Sequence, residues 1–292
     1  DTSGNVTGTE TVTTPSHGIS STILVTIETD VSGNVTTTTN TEVSMGIGFI
    51  SGLLIYMFIF MYGTMVMRGV IEEKTSRIVE VIISSVKPFQ LMMGKIIGVA
   101  LVGLTQFMLW ISLTLIISTI AEATLIDVNQ LNISANEKSI VLKELNTIFG
   151  SIDILQILSA FLLYFIGGYL LYSALFAAVG SAVDSEADTQ QFILPVTIPL
   201  ILAFVLIQPI MENPDGNLAF WMSIIPFTSP VIMMVRIPFG VPTWELTLSL
   251  IALLSGFITT TWVAGKIYRT GILMYGKKAT YKELLKWLSY KG

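Results

Sequence analysis

Residues 46–67 read GIGFISGLLIYMFIFMYGTMVM and contain no charged side chain. The hydrocarbon core of a bilayer is about 30 Å thick, so a helix needs about 20 consecutive apolar residues to cross it. This run is long enough for such a helix. A helix that is apolar on every side has no face to offer to water, and the run therefore predicts a transmembrane span.

The rest of the chain repeats this pattern. Of the 292 residues, 52% are hydrophobic and only 12% are charged, whereas about a quarter are charged in soluble domains. The mean hydropathy is +0.75. Further uncharged runs occupy residues 96–121, 154–183, 192–211, 217–235 and 246–265. We expect an all-α polytopic membrane protein with five transmembrane helices plus a re-entrant hairpin.

The hairpin is predicted over residues 217–240. Pro226 and Pro230 lie inside this segment, and Pro238 and Pro242 lie at its end. Proline removes a hydrogen-bond donor and clashes with the preceding turn, which argues against a straight span. A broken helix of this kind is tolerated in a membrane only where protein or a wet cavity satisfies its backbone.

Lysine and arginine in short loops predict the orientation, because cytoplasmic loops are enriched in them. The loop 68–95 and the tail after residue 265 are basic, so both should be cytoplasmic, whereas residues 1–44 contain no Lys or Arg. The loop 122–153 is mainly acidic and should lie outside. The acidic turn 184–188 is then forced inside, which runs against this pattern.

The N-terminal segment, residues 1–44, is rich in Thr, Ser, Gly and Asn. Residues 21–28 alternate well enough for a strand that turns at residues 30–34 into a second strand. An extracytoplasmic domain remnant and a disordered polar segment both fit this composition. Because the chain begins at Asp1, we interpret it as N-terminally truncated, with six spans in the full-length protein.

We assign residues 45–270 to the transmembrane domain and residues 271–292 to a cytoplasmic amphipathic tail. In the tail, Thr280 and Glu283 fit a capping box. The helix that follows has an apolar stripe formed by Tyr281, Leu284, Leu285 and Leu288, with Lys282, Lys286 and Trp287 beside it. This pattern is typical of a helix lying on the inner membrane face.

The loop after the first span predicts an amphipathic helix over residues 70–86. Glu73, Arg77 and Glu80 share one face, and Glu73 precedes Arg77 in the favourable pairing direction. The opposite face carries Ile71, Ile78, Ile82 and Val86. The helix should end near residues 84–85, before the Lys-Pro pair at 87–88.

Several chemistries have no residues to support them. The chain has no cysteine, and its one histidine, His17, lies in the polar N-terminal segment, so we expect no metal site and no catalytic residue. Nothing indicates binding to nucleic acid. Residues 72–77 also fit the E-E-x-x-x-R pattern of an intramembrane protease family, but those enzymes need later histidines, and none follows His17.

Several segments together resemble the permease subunits of type 2 ABC exporters, closest to the sodium-efflux branch. They are RGVIEEKTSRIVEVIISS at 68–85, QLMMGK at 90–95, AAVGSA at 177–182, and IPFTSP at 225–230 followed by Arg236 and Gly240. The resemblance implies a membrane-spanning permease subunit that exports a substrate, such as sodium or a small toxic compound.

The resemblance also implies the partners of such a permease. A coupling helix would contact an ABC ATPase subunit through Glu72, Glu73, Lys74, Arg77 and Glu80. The sequence lacks a G-x-x-x-x-G-K-[S/T] phosphate loop, so ATP and Mg should be bound by that subunit, and this chain should bind no cofactor. A second permease chain, identical or related, would complete the path in a bacterial cytoplasmic membrane, with the C-terminus inside.

Two further sets of residues are candidates for function. The re-entrant hairpin carries Pro226, Ser229, Pro230 and Arg236, and the spans offer Gln106, Tyr172 and Gln208 as possible path-lining groups. We expect no carboxylate inside a span to bind a bare cation, although buried ionisable groups of that kind usually mark ion paths. A secondary transporter or a membrane scaffold without an ATPase is the alternative function.

Overall fold

A computed structural model describes residues 28–29, 35–36, 40–125, 154–274 and 280–289. These residues form the helices α1 Asn40–Thr75, α2 Ile78–Ile83, α3 Pro88–Leu125, α4 Ile154–Ala182, α5 Thr189–Val205, α6 Ile207–Glu212, α7 Asn217–Ile224, α8 Ser229–Arg236, α9 Thr243–Gly271 and α10 Tyr281–Ser289. Single 3-10 turns cover Glu186–Asp188 and Ile237–Phe239.

Five helical segments in the described part of the chain are long and apolar enough to cross a bilayer. They are Ser44–Thr75, Pro88–Ile117, Leu155–Ala182, Glu186–Glu212 and Thr243–Gly271. The five predicted transmembrane helices are therefore confirmed. The fourth is interrupted at Leu206, between α5 and α6, next to the Val205 carbonyl, with which Pro209 has no N–H to bond.

Helix α4 lies at the centre of the bundle and α3 at its periphery. In their most apolar stretches, 67% of the residues of α4 are buried but only 11% of those of α3. Gly167 and Gly168 let neighbours approach α4 closely. A Cβ at Gly167 would lie 2.6 Å from the Leu253 side chain, and one at Gly168 would lie 2.6 Å from Ile59 and 2.8 Å from Pro230.

Helices α7 and α8 form a hairpin inside the bundle. Each has eight residues and is therefore about 12 Å long, much less than the bilayer thickness. The chain reverses at residues 225–228, which include Pro226, and Pro230 occupies the first turn of α8, where a missing N–H has no helical partner to lose. Every residue of α8 is buried.

Two short strands occur in the N-terminal segment, β1 Glu28–Thr29 and β2 Val35–Thr36. They pair antiparallel, with Glu28 opposite Thr36 and Thr29 opposite Val35. The pairing is on either side of the predicted turn at residues 30–34. That turn, residues 21–27 of the predicted strand and residues 126–153 of the acidic loop lie outside the described residues.

The tail helix α10 begins with the predicted capping box. The Thr280 N–H donates to Glu283 Oε2 at 2.9 Å, and the Glu283 N–H donates to Thr280 Oγ1 at 3.4 Å. Leu285 of the predicted apolar stripe is 65% exposed, whereas Trp287 beside the stripe is only 5% exposed. Trp287 is on the side where α10 packs against α9, and there Lys266 Nζ donates to the Leu288 carbonyl at 3.1 Å.

We expect Gly168→Val to lower the stability of the protein, because its Cβ would lie within 3.0 Å of Ile59 and Pro230. Overpacking of this kind costs about 1 to 3 kcal/mol. Thermal melting in detergent, followed by size-exclusion chromatography, measures the loss. Gly98→Val on α3 is the matched control, because a Cβ there meets no atom within 4 Å; equal losses for both variants would contradict the packing argument.

Candidate partner-docking segment and its buried supports

The predicted single helix over residues 70–86 is two helices. Helix α1 continues to Thr75, Arg77 adopts a left-handed conformation with φ of 56°, and α2 covers Ile78–Ile83. The prediction of one continuous helix is therefore wrong, although its end before residues 84–85 is correct. The hydroxyl of Ser76 donates to the Glu72 carbonyl at 2.7 Å, and such back-bonding to the preceding turn favours a helix end.

The break exposes a mixed polar and apolar surface. The side chains of Glu72, Arg77 and Glu80 are exposed, and Ile78 and Val81 beside them are 52% and 74% exposed. We call these five residues the docking face. It offers two carboxylates, one guanidinium and two apolar groups to a partner.

The residues of the predicted apolar stripe differ in burial within the chain. Ile71 is buried, whereas Ile78 and Val86 are exposed. Val79 of α2, which was not in the stripe, is 0% exposed. The left-handed residue between α1 and α2 changes the direction of the chain, so a face projected along one helix does not continue along the other.

Glu73 and Lys74 do not belong to the docking face. Glu73 was predicted to pair with Arg77, but its carboxylate lies 2.6 Å from Lys95 Nζ at the start of α3. The Lys74 side chain is only 2% exposed, and its Nζ lies 2.9 Å from Asp184 Oδ1. Both residues therefore make intramolecular ion pairs in the described chain.

The same geometry accounts for the acidic turn at residues 184–188. Asp184 pairs with Lys74 at 2.9 Å, and Glu186 lies 3.6 Å from Arg68. Two of the three carboxylates of the turn thus face the basic end of α1. The sequence signal that could have indicated these pairs is the turn itself, which is acidic where the orientation requires a cytoplasmic loop.

The hairpin is held by a buried arginine. Arg236 is 1% exposed; its Nε donates to the Pro214 carbonyl at 2.7 Å, its Nη1 donates to Ser223 Oγ at 2.7 Å, and its Nη2 lies 2.8 Å from Glu245 Oε2. A buried charge is stable when paired and hydrogen-bonded in this way. The guanidinium therefore joins the loop before α7, the helix α7 and the first turn of α9.

Glu245 was missed by the sequence analysis. The last uncharged run begins at residue 246, but α9 and the apolar span begin at Thr243. Glu245 therefore lies in the first turn of this apolar helix, one residue before the predicted run, and is only 8% exposed. Because Arg236 neutralises it, Glu245 is part of an ion pair and not a bare anionic group.

The remaining hairpin residues pack against neighbouring helices. A Cβ at Gly256 of α9 would lie 2.5 Å from Pro226, and Pro230 packs on Gly168 of α4. The Ser229 hydroxyl is buried and has no hydrogen-bond partner among the described residues. The packing of Pro226 and Pro230 fixes the position of the hairpin.

The three candidate path-lining residues have three different partners. Gln106 Oε1 accepts a hydrogen bond from Tyr62 at 2.8 Å. The Tyr172 hydroxyl donates to the Phe227 carbonyl at 2.7 Å, and Gln208 Nε2 donates to Glu212 at 3.3 Å.

None of these residues lines the cavity of about 480 Å³ between α1 and α3. That cavity is bordered by Met61, Thr64, Met65, Arg68, Gly69, Glu72, Lys95 and Val99. The role of the three candidate residues in lining a path between two chains stays a prediction.

The helices and the hairpin define a multi-pass α-helical membrane protein. The chain belongs to the ABC-2 family of transporter proteins, which it matches over residues 9–266. It is 29% identical over 246 residues to the uncharacterized protein YhaP of Bacillus subtilis, covering 82% of this chain and 54% of that protein.

A second relative comes from an archaeon. The uncharacterized protein MJ1024 of Methanocaldococcus jannaschii is 29% identical over 243 residues, covering 82% of this chain and 52% of that protein. The chain therefore spans about half the length of the curated relatives it matches. No solved structure matches the chain.

We expect Arg236→Met to destabilise the bundle strongly, because it leaves the Glu245 carboxylate buried without its counter-charge. Breaking one side of a buried pair costs about 3 to 5 kcal/mol. The double variant Arg236→Met/Glu245→Gln should recover part of the loss. Thermal melting in detergent measures both changes.

Arg68→Met is the matched control, because the Arg68 and Glu186 side chains are 66% and 64% exposed. Exposed pairs contribute about 1 kcal/mol or less. A melting temperature for Arg236→Met equal to that of Arg68→Met would contradict the role assigned to the buried guanidinium.

Proposed function

We infer that the chain is the membrane-spanning permease part of an ATP-driven exporter whose ATPase is a separate subunit. The observation that carries this inference is the family match over residues 9–266. The five long apolar helices and the hairpin in the described part of the chain fit a membrane-spanning permease. ATP and Mg bind to the partner, because this sequence contains no phosphate-binding loop of the G-x-x-x-x-G-K-[S/T] type.

The docking face is the surface that meets the ATPase subunit. Its exposed charges are Glu72, Arg77 and Glu80, and Ile78 and Val81 give it apolar area to bury. A cleft that accepts a helix combines both kinds of contact, with apolar anchors at its centre and charged groups at its rim. Lys74 is excluded from this surface by its burial, and Glu73 by its pair with Lys95.

The docking face lies on the cytoplasmic side, where ATP is available. The basic loops predict this orientation, and the acidic turn no longer argues against it, because Asp184 and Glu186 face Lys74 and Arg68. The C-terminal helix α10 lies on the same side, in the cytoplasmic membrane of a prokaryotic cell.

Two permease chains enclose the transport path. The weakly buried helix α3 and the exposed side of α1 offer apolar surface to a second copy or to lipid. ATP-driven closure of the ATPase pair displaces the docking faces and moves the helices between inward-open and outward-open arrangements. The exported substrate is sodium, as the resemblance suggests, or a small toxic compound; a peptide, an antibiotic and a lipid-like molecule are open alternatives.

A direct test is to co-express the full-length protein with the ABC ATPase encoded beside it and to purify on a tag placed on the permease. We expect the ATPase to co-purify and to hydrolyse ATP. The triple variant Glu72→Gln/Arg77→Gln/Glu80→Gln should reduce the amount of bound ATPase about tenfold or more, because removing charge pairs across an interface lowers affinity.

The matched control is Lys282→Gln/Lys286→Gln, which removes two exposed charges from α10 on the same side of the bundle. It should bind the ATPase as the unmodified protein does. A permease that purifies alone under all conditions would refute the exporter and favour a secondary transporter or a scaffold.

A further inference from the structure

Two neighbouring residues near the end of α1 are bound to two different parts of the bundle. Glu73 lies 2.6 Å from Lys95 Nζ of α3. Lys74 Nζ lies 2.9 Å from Asp184 Oδ1, in the turn between α4 and α5, and donates to the Ser181 carbonyl at 2.8 Å. Consecutive helical side chains point about 100° apart, so the two residues reach neighbours on different sides. We call Glu73, Lys74, Lys95 and Asp184 the α1 joint.

The α1 joint is largely shielded from water. Its four side chains are between 2% and 35% exposed, whereas those of the nearby pair Arg68 and Glu186 are 66% and 64% exposed. Ion pairs removed from water are screened less and hold their geometry more firmly than surface pairs. The Ser181 carbonyl also helps to hold the Lys74 ammonium group, because it lies in the last turn of α4, where unsatisfied carbonyls attract a cation.

The α1 joint is directly connected to the docking face. The Arg77 N–H donates to the Lys74 carbonyl at 3.1 Å, and the Glu80 N–H donates to the Arg77 carbonyl at 3.2 Å. Only Ser76 and Arg77 separate α1 from α2. A displacement of α2 is therefore passed to Lys74 through the backbone.

On its other side the α1 joint reaches the central and last spans. A Cβ at Gly271, the final residue of α9, would lie 2.8 Å from the Ser181 carbonyl oxygen that accepts from Lys74. The ends of α1, α4 and α9 thus meet at one point without a gap. Close-packed groups transmit a displacement instead of absorbing it.

We propose that the α1 joint transmits movement from the docking face to α3, α4 and α9, and that Glu73 and Lys74 are positioning residues for transport. This inference rests on the proposed function. Neighbouring residues of one segment thus have different roles. Glu72, Arg77 and Glu80 bind the partner. Glu73 and Lys74 transmit the movement of the partner to the bundle.

The test compares how nucleotide changes the rate of cysteine labelling at two positions, one near the docking face and one at the far end of the bundle. The described chain has no cysteine, so single cysteines can be placed at the exposed residues Lys87, close to α2, and Asp215, next to the hairpin. Any cysteine elsewhere in the full-length protein is first replaced. The rate of maleimide labelling is measured in the full-length complex with its ATPase, with and without ATP and vanadate.

We expect nucleotide to change the labelling rate at both positions in the unmodified complex. In Asp184→Asn, the ATPase should remain bound and the change at Lys87→Cys should persist. The nucleotide-dependent change at Asp215→Cys should fall by about twofold or more. Lys95→Gln breaks the other ion pair of the α1 joint. It should likewise keep the change at Lys87→Cys and reduce the change at Asp215→Cys. With two variants, the test stays decisive if one of them folds poorly.

Two controls separate transmission from simple stabilisation. Glu186→Gln removes a carboxylate from the same turn as Asp184 but from an exposed pair, and it should respond as the unmodified protein does. Asp184→Glu retains the charge and should restore most of the distant response. An ion pair that only stabilised the fold would lower the melting temperature without separating the two labelling responses.

The outcomes are distinct. A normal response at Asp215→Cys in both Asp184→Asn and Lys95→Gln would overturn the transmission role, as would loss of the bound ATPase in these variants. Failure of the unmodified protein to bind any ATPase would instead refute the proposed function itself, and the transmission role with it.

Discussion

Inside a hydrocarbon phase, every backbone N–H and C=O needs a partner within the protein, because an unsatisfied group costs several kcal/mol. The prolines of the hairpin break this rule locally, and polar side chains restore it. Thr228 Oγ1 donates to the Met222 carbonyl at 2.6 Å, and Tyr172 donates to the Phe227 carbonyl at 2.7 Å. The hairpin exists because its carbonyls find these donors.

The same requirement explains the polar residues of the spans. The Tyr169 hydroxyl donates to the Ile96 carbonyl at 2.7 Å and so joins α4 to α3, while Tyr164 reaches the Leu246 carbonyl of α9 at 3.4 Å. These tyrosines connect helices through their backbones. A polar residue in a membrane span is therefore weak evidence for a transport path until its partner is known.

Local signals in the sequence were sufficient to predict the spans and the hairpin, because a charge-free run or a proline affects the structure of the segment that contains it. The candidate site was less predictable. The burial of Lys74 depends on Asp184, which is distant in sequence, and the break at Arg77 depends on backbone geometry that periodicity does not encode. Glu245 was overlooked because a charge-free run ends at any charged residue, and its pairing with Arg236 joins two helices in a way that local sequence does not show.

The acidic turn between α4 and α5 also bears on how the protein is made. The chain is synthesised from its N-terminus, so Arg68 and Lys74 emerge before Asp184 and Glu186 exist. In the proposed orientation, these positive charges act as a topology signal at that stage. Later, the same charges become ion pairs of the finished bundle, so the order of translation allows one set of side chains to direct insertion first and assembly afterwards.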